Sequence, residues 1–155
     1  MAASCVKFKE KAFWSDDAWL EGWLYFFVQE LSKLKRSDIW IKQIEGDWYL
    51  QAKLGFMGCI NLGLDEVIDS QEKKEILEAI ALKVNNKFLV FGKVLPNHIL
   101  TELETIGHNW PSPPKTSNFI KVGQLFIELI NERLQWTVSS SLEYKRPENW
   151  ETLLP

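Results

Sequence analysis

The longest helical pattern of apolar and polar positions runs from Ser70 to Phe91. Its apolar residues recur at steps of three and four, which places them on one face of a helix with 3.6 residues per turn. Asp69 or Ser70 can cap the start, and Gly92 follows as a stop signal. We expect a helix here that buries one face, formed by Ile76, Leu77, Ile80, Ala81, Val84, Phe88 and Phe91.

A β-hairpin is the alternative for residues 76–95. Asn85 and Asn86 would then form its turn, because asparagine tolerates the left-handed backbone conformation that such turns require. Two features favour the helix. The residues before the turn are good helix formers, and the strict alternation expected of a strand fails at residues 89–91.

Two earlier segments also carry apolar residues at helical spacing. Between Ser15 and Arg36 the apolar face is rich in aromatic residues, and its width predicts a helix that is buried on more than one side. Residues 39–54 fit either a helix or a hairpin that turns at residues 45–47. Gly46 would cost a helix about 1 kcal/mol relative to alanine, but the pattern still slightly favours the helix.

The remaining segments are shorter. Residues 1–14 are expected to form an N-terminal arm, either a short edge strand or an extended segment. Residues 96–106 predict a short helix, and a further helix begins near Asn118. Between them, the three prolines of residues 108–117 predict an extended surface loop. Residues 137–155 are expected to form an irregular C-terminal tail.

These elements predict one domain over residues 1–155 with a mainly α fold, a bundle of about five helices. The alternative is an α+β fold, in which a small antiparallel sheet from residues 39–64, and from 76–95 in its larger form, packs on the helices. The chain is long enough to bury a substantial core without disulfides or metals.

Charge and composition limit the function classes. The net charge of −3 gives no electrostatic footprint for nucleic acid. No apolar run reaches the about 18 to 20 residues of a membrane span, and the N-terminus lacks the layout of a signal peptide. We therefore expect a cytoplasmic protein with neither a nucleic-acid nor a membrane partner. Cys5 and Cys59 are predicted to be free thiols, because they form no metal-binding or disulfide pattern.

Catalytic patterns are missing from the sequence. His98 and His108 are its only histidines, and neither lies in a recognisable nucleophile–base pattern. The serines at 139–141 lack a GxSxG elbow, and the glycines at 55–63 do not form GxGxxG. We therefore predict no catalytic residue, no metal and no cofactor.

Carboxylates and tryptophans are the candidates for a binding surface. Three carboxylates lie together beside a glycine-rich turn, where they fit either a functional site or helix caps. The chain holds eight tryptophans, and those in irregular segments fit exposed anchors for a partner, since tryptophan is enriched in binding hot spots. The predicted partner-binding residues are Trp14, Asp65, Glu66, Asp69, Trp110 and Trp150.

One stretch resembles a known class of proteins. The sequence GFMGCINLGLDEVIDSQEKKEIL, preceded by DWYLQAKL, is similar to small bacterial immunity proteins of polymorphic or contact-dependent toxins. The shared features are a tryptophan-bearing segment, a Gly-Cys turn and Leu-Asp-Glu entering a helix, over about a quarter of the chain. The resemblance implies a cytoplasmic, non-enzymatic protein that binds one toxin, such as a basic toxin domain, and blocks its active site. It carries over no individual functional residue.

Two other hypotheses remain open. One is a small enzyme or ligand-binding protein whose pocket is lined by the aromatic residues of the first helix, with Asp65, Glu66 or His98 nearby. The other is a homodimer closed by aromatic surfaces.

Overall fold

The computed structural model describes residues 3–54 and 60–134, which form one two-stranded sheet and six helices. The strands are β1 (Ala3–Phe8) and β2 (Lys11–Asp16). The helices are α1 (Asp17–Ser32), α2 (Ile39–Leu54), α3 (Leu64–Val67), α4 (Gln71–Val90), α5 (Asn97–Glu104) and α6 (Thr116–Ile130). The expectation of a mainly helical fold is confirmed, but the small sheet makes the fold α+β, so the expectation of a helical bundle is wrong.

The sheet lies in the N-terminal arm and not where the α+β alternative expected it. β1 and β2 pair antiparallel, with Ala3 opposite Asp16 and Phe8 opposite Lys11. Lys9 begins the two-residue turn with a φ of 56°, in the left-handed region. The alternative assigned residues 39–64 and 76–95 to a sheet, but residues 39–54 and 76–90 are helical, as the favoured interpretation expected. The turn contains neither the glycine nor the asparagine that predicts a hairpin, and a lysine with a left-handed backbone is uncommon.

Helix α1 is the central helix of the core. It packs against α2, α4 and α6, and its buried residues include the largest aromatic side chains of the protein. The Trp23 ring lies 5.1 Å from that of Phe27 and 5.2 Å from that of Phe126. Phe27 in turn contacts Trp48 of α2, with 5.3 Å between ring centres. The predicted burial of this helix on more than one side is confirmed.

Helix α4 confirms the strongest periodic pattern of the sequence. Ser70 caps it, since its hydroxyl accepts a hydrogen bond from the Lys73 amide at 3.3 Å. After the helix, Gly92 adopts a φ of 91°. Most of the predicted apolar face is buried, and its two terminal members, Ile76 and Phe91, are half-buried.

A buried asparagine joins three helices at one point. The Trp23 indole N–H donates to Asn85 Oδ1 at 3.1 Å, and Asn85 Nδ2 donates to the Ile120 carbonyl at 3.4 Å. Gly123 faces the same amide, and a Cβ at that position would overlap it. Asn85 is therefore a buried link between α1, α4 and α6 and not the hairpin turn of the alternative.

The proline-containing loop ends two residues earlier than predicted, because α6 begins at Thr116. The end of the loop pairs with the segment after α4. The Leu95 amide donates to the Pro114 carbonyl at 3.1 Å, and the Thr116 amide donates to the backbone carbonyl of Lys93 at 3.0 Å. The predicted C-terminal tail, 137–155, lies outside the described residues. No helix in the described part of the chain combines the length and apolar character needed to cross a membrane.

Candidate functional site: an acidic groove beside α2

An open groove of about 660 Å³ runs beside α2. Its other walls are residues 60–63, α3 and the first turn of α4. We call it the α2–α3 groove. The apolar residues in it are Trp40, Ile44, Trp48, Leu62 and Val67, and the charged residues are Asp47, Glu66 and Lys73.

Two side chains of α2 hold residues 60–63 against the helix. The indole N–H of the fully buried Trp48 donates to the Leu62 carbonyl at 3.1 Å. The amide of Gln51 makes two bonds to Asn61, donating to its carbonyl and accepting from its N–H, each at 2.7 Å. Gln51 also donates to Asp47 at 3.0 Å. The wall of the groove is therefore fixed by hydrogen bonds and not only by packing.

The carboxylates at the groove differ in how they are paired. Asp65 accepts a hydrogen bond from the Lys9 amide at 2.7 Å, and so joins α3 to the turn between the strands. Asp69 pairs with Lys73 at 3.1 Å. Within residues 3–54 and 60–134, no donor or cation lies within bonding distance of the Glu66 carboxylate. Glu66 is exposed at the rim of the groove, with no pairing partner among the described residues.

Lys73 places a cation over an aromatic ring inside the groove. Its ammonium lies 5.2 Å from the centre of the Trp40 ring. That distance is within the range of a cation–π interaction. The charged groups of the groove itself, Asp47, Glu66 and Lys73, leave it with a net negative charge.

The structure brings together only part of the predicted site. Asp65 and Glu66 are exposed residues of α3, Asp69 is exposed in the link to α4, and only Glu66 of the three lines the groove. Trp14 and Trp110 do not line it. Trp14 is half-buried on β2 opposite Cys5, and Trp110 stacks on His108 with 5.6 Å between ring centres.

The tryptophans beside the carboxylates are Trp40 and Trp48, which the sequence did not single out as site residues. Trp150 lies outside the described residues. A signal for Trp40 existed, since Trp40, Ile44, Asp47 and Trp48 recur at three- and four-residue steps on one face of α2. That signal became meaningful only if residues 39–54 formed a helix.

A second cluster of polar groups lies in the core. Glu21 Oε2 is 3.3 Å from His108 Nε2, and the same nitrogen is 3.2 Å from the Ala52 carbonyl in the last turn of α2. The Ala52 carbonyl can only accept, so the ring nitrogen must carry a proton to bond it. The contact with Glu21 can also form with a protonated carboxyl as the donor. Nearby, Ser4 donates to Asp17 at 2.6 Å.

Burial shifts the ionisation of this pair. It raises the pKa of Glu21 from 4.5 to about 7, with the neighbouring Asp17 adding to the effect. It also lowers the pKa of His108, although the bond to Ala52 acts in the opposite direction. Burial therefore disfavours the charged form of both side chains. Neither residue lines the α2–α3 groove, and the contacts fit a structural link between α1, α2 and the segment after α5.

The enzyme hypothesis required a histidine close to the acidic residues. His98 instead packs on Phe91, with 6.4 Å between ring centres, and does not line the groove. Burial raises the pKa of the Cys5 thiol to about 11, which keeps it protonated and a weak nucleophile near neutral pH. Over residues 3–54 and 60–134, no three His, Cys, Asp or Glu side chains are placed to hold a metal ion.

The chain was compared with models of protein families, with curated proteins and with solved structures, and none of them gave a significant match.

Proposed function

We propose that the protein is a non-enzymatic protein-binding module that holds a basic partner in the α2–α3 groove. The observation that carries the proposal is the combination of an apolar groove, in which the Trp40 ring is partly exposed, with the Glu66 carboxylate at its rim, which no described residue pairs. Interfaces concentrate binding energy in tryptophan-containing centres with a polar rim. A negative groove favours a partner with a positive surface, because complementary charge steers association and suppresses wrong partners.

An immunity-type role is consistent with such a module. An inhibitor that blocks a toxin needs a recognition surface and no catalytic group of its own. A basic toxin domain would supply the complementary charge. In this role the protein would act in the cytoplasm by covering the active site of the toxin.

Capture of the partner tests the proposal. The immobilised full-length protein and its double variant Asp47→Lys/Glu66→Lys would each be incubated with lysate of the source cells, and bound proteins identified by mass spectrometry. Glu75→Lys/Glu104→Lys is the matched control, because it makes the same charge change at two exposed carboxylates that do not line the groove. We expect the wild type and the control to retain one protein that the groove variant loses.

Two results would contradict the proposal. One is equal retention by all three baits, which would place binding away from the groove. The other is purification of the protein with a small ligand and no captured protein, which would favour a ligand-binding function. A captured partner that arrests growth should lose its toxicity when coexpressed with the wild type, but not with the groove variant.

A further inference from the structure

We infer that the groove recognises an arginine side chain of the partner, and that Lys73 occupies the place of that cation until the partner binds. This inference rests on the proposed function and adds the chemistry of recognition and a competitor within the chain. The arginine would lie over the Trp40 ring, with the carboxylates of Asp47 and Glu66 as its counter-charges.

The contacts of Lys73 show what a cation gains at this place. Its ammonium has an aromatic face, that of Trp40 at 5.2 Å, and a carboxylate, that of Asp69 at 3.1 Å. Glu66 offers a second carboxylate in the same groove, free of any partner among the described residues. The groove therefore provides one aromatic surface but more negative charge than Lys73 neutralises.

Two features weaken the hold on the Lys73 ammonium, although its side chain is only 23% exposed. It lies in the first turn of α4, where the helix dipole disfavours a positive charge. Its carboxylate partner, Asp69, has 62% of its side chain exposed, so water screens the ion pair. A competing cation can therefore displace the ammonium from Trp40 while Lys73 stays paired with Asp69.

Arginine fits this place better than lysine does. A guanidinium stacks on an aromatic ring, is less strongly hydrated than an ammonium and can bond a carboxylate through two N–H groups. Trp40 and Asp47 are two helical turns apart on α2, about 10 Å along the axis. One guanidinium therefore cannot stack on Trp40 and bond Asp47 at the same time, and Asp47 would attract it through the charge of the groove.

A capped peptide, acetyl-Gly-Arg-Gly-Arg-Gly-amide, tests the inference by NMR titration of the full-length protein. The same peptide with citrulline in place of arginine keeps the shape and removes the charge. We expect the arginine peptide to shift the Trp40 indole N–H resonance and the citrulline peptide to leave it unchanged. Equal shifts with both peptides, or no shift of Trp40 with either, would overturn the inference.

Substitution of Lys73 should strengthen peptide binding and not weaken it. Lys73→Gln should tighten binding of the arginine peptide about two- to fivefold, because the competing cation–π contact is removed. Glutamine at this position also completes a capping box with Ser70, so the start of α4 should be preserved. Lys83→Gln is the matched control: it removes the same charge from an exposed site on α4, about 15 Å along the axis, and should change the affinity less than 1.5-fold.

The outcomes separate this inference from the proposed function. If Lys73→Gln weakens peptide binding, or acts no differently from Lys83→Gln, Lys73 is not a competitor and the inference is wrong. The proposed function would survive that result if the captured partner still depends on Asp47 and Glu66. Trp40→Phe, which keeps an aromatic ring and much of the packing, should weaken arginine binding less than Trp40→Leu does.

Discussion

At the scale of single residues, Glu21 and His108 should give opposite pH dependences to the stability of the fold. The pKa of Glu21 is higher in the folded state, so its contribution is present below pH 4.5 and is lost as the pH rises to about 7. The pKa of His108 is lower in the folded state, so its contribution is present above pH 6.5 and is lost as the pH falls through the folded value. The two effects partly cancel in the wild type.

Substitution of Glu21 should leave only the pH dependence of stability that His108 causes. In Glu21→Gln, the free energy of unfolding should rise relative to wild type between pH 5 and pH 8, by roughly 2 to 3 kcal/mol for a pKa difference of this size. Urea unfolding at several pH values measures it. If the stability of Glu21→Gln instead ran parallel to that of the wild type over this range, the Glu21 carboxyl would not have the raised pKa.

Asn85 should contribute to the stability of the fold through its hydrogen bond to Trp23. Asn85→Ala leaves the buried Trp23 indole N–H without an acceptor, and this should lower the free energy of unfolding by about 1 to 3 kcal/mol. Asn86→Ala, its exposed neighbour on α4, should stay within about 0.5 kcal/mol of wild type. Urea unfolding compares the two. Similar losses in both variants would contradict the role given to the Trp23–Asn85 bond.

At the scale of elements, hydrophobic periodicity predicted α1, α2, α4, α5 and α6, because each buries one face of a regular helix. The hairpin was missed because Lys9 turns the chain without a glycine or asparagine. Asn85 and Asn86 carried the residue type that favours a turn, but the amide of Asn85 is used to bond Trp23 and Ile120 inside the core. Tertiary contacts thus decided between two patterns that the local sequence left open.

The wall of the groove is also set by a tertiary contact, between α2 and residues 60–63. Gln51→Ala removes both hydrogen bonds to Asn61, so the Asn61 amide should lose protection from hydrogen exchange by about tenfold or more. Gln43→Ala is the control, since Gln43 is an exposed residue of α2 that lines the same groove. Unchanged protection in Gln51→Ala would mean that Gln51 does not hold this wall.

At the scale of the whole molecule, the sequence indicated one carboxylate of the candidate site, Glu66, but neither Asp47 nor the tryptophans of the groove. Asp65, Glu66 and Asp69 lie close along the chain, so their clustering needed no knowledge of the fold. Trp40 reaches them only because α2 packs beside residues 60–63 and the start of α4. That arrangement depends on contacts such as Trp48 with Leu62, which no local pattern encodes.

The affinity for the captured partner tests the central claim, that the α2–α3 groove is the binding surface, most directly. Isothermal titration calorimetry would compare wild type, Asp47→Lys/Glu66→Lys and the control Glu75→Lys/Glu104→Lys, each confirmed as folded by circular dichroism. Reversal of two central charges should raise the dissociation constant at least about a hundredfold, and the control should raise it less than about threefold. Equal dissociation constants for the two variants would contradict the account.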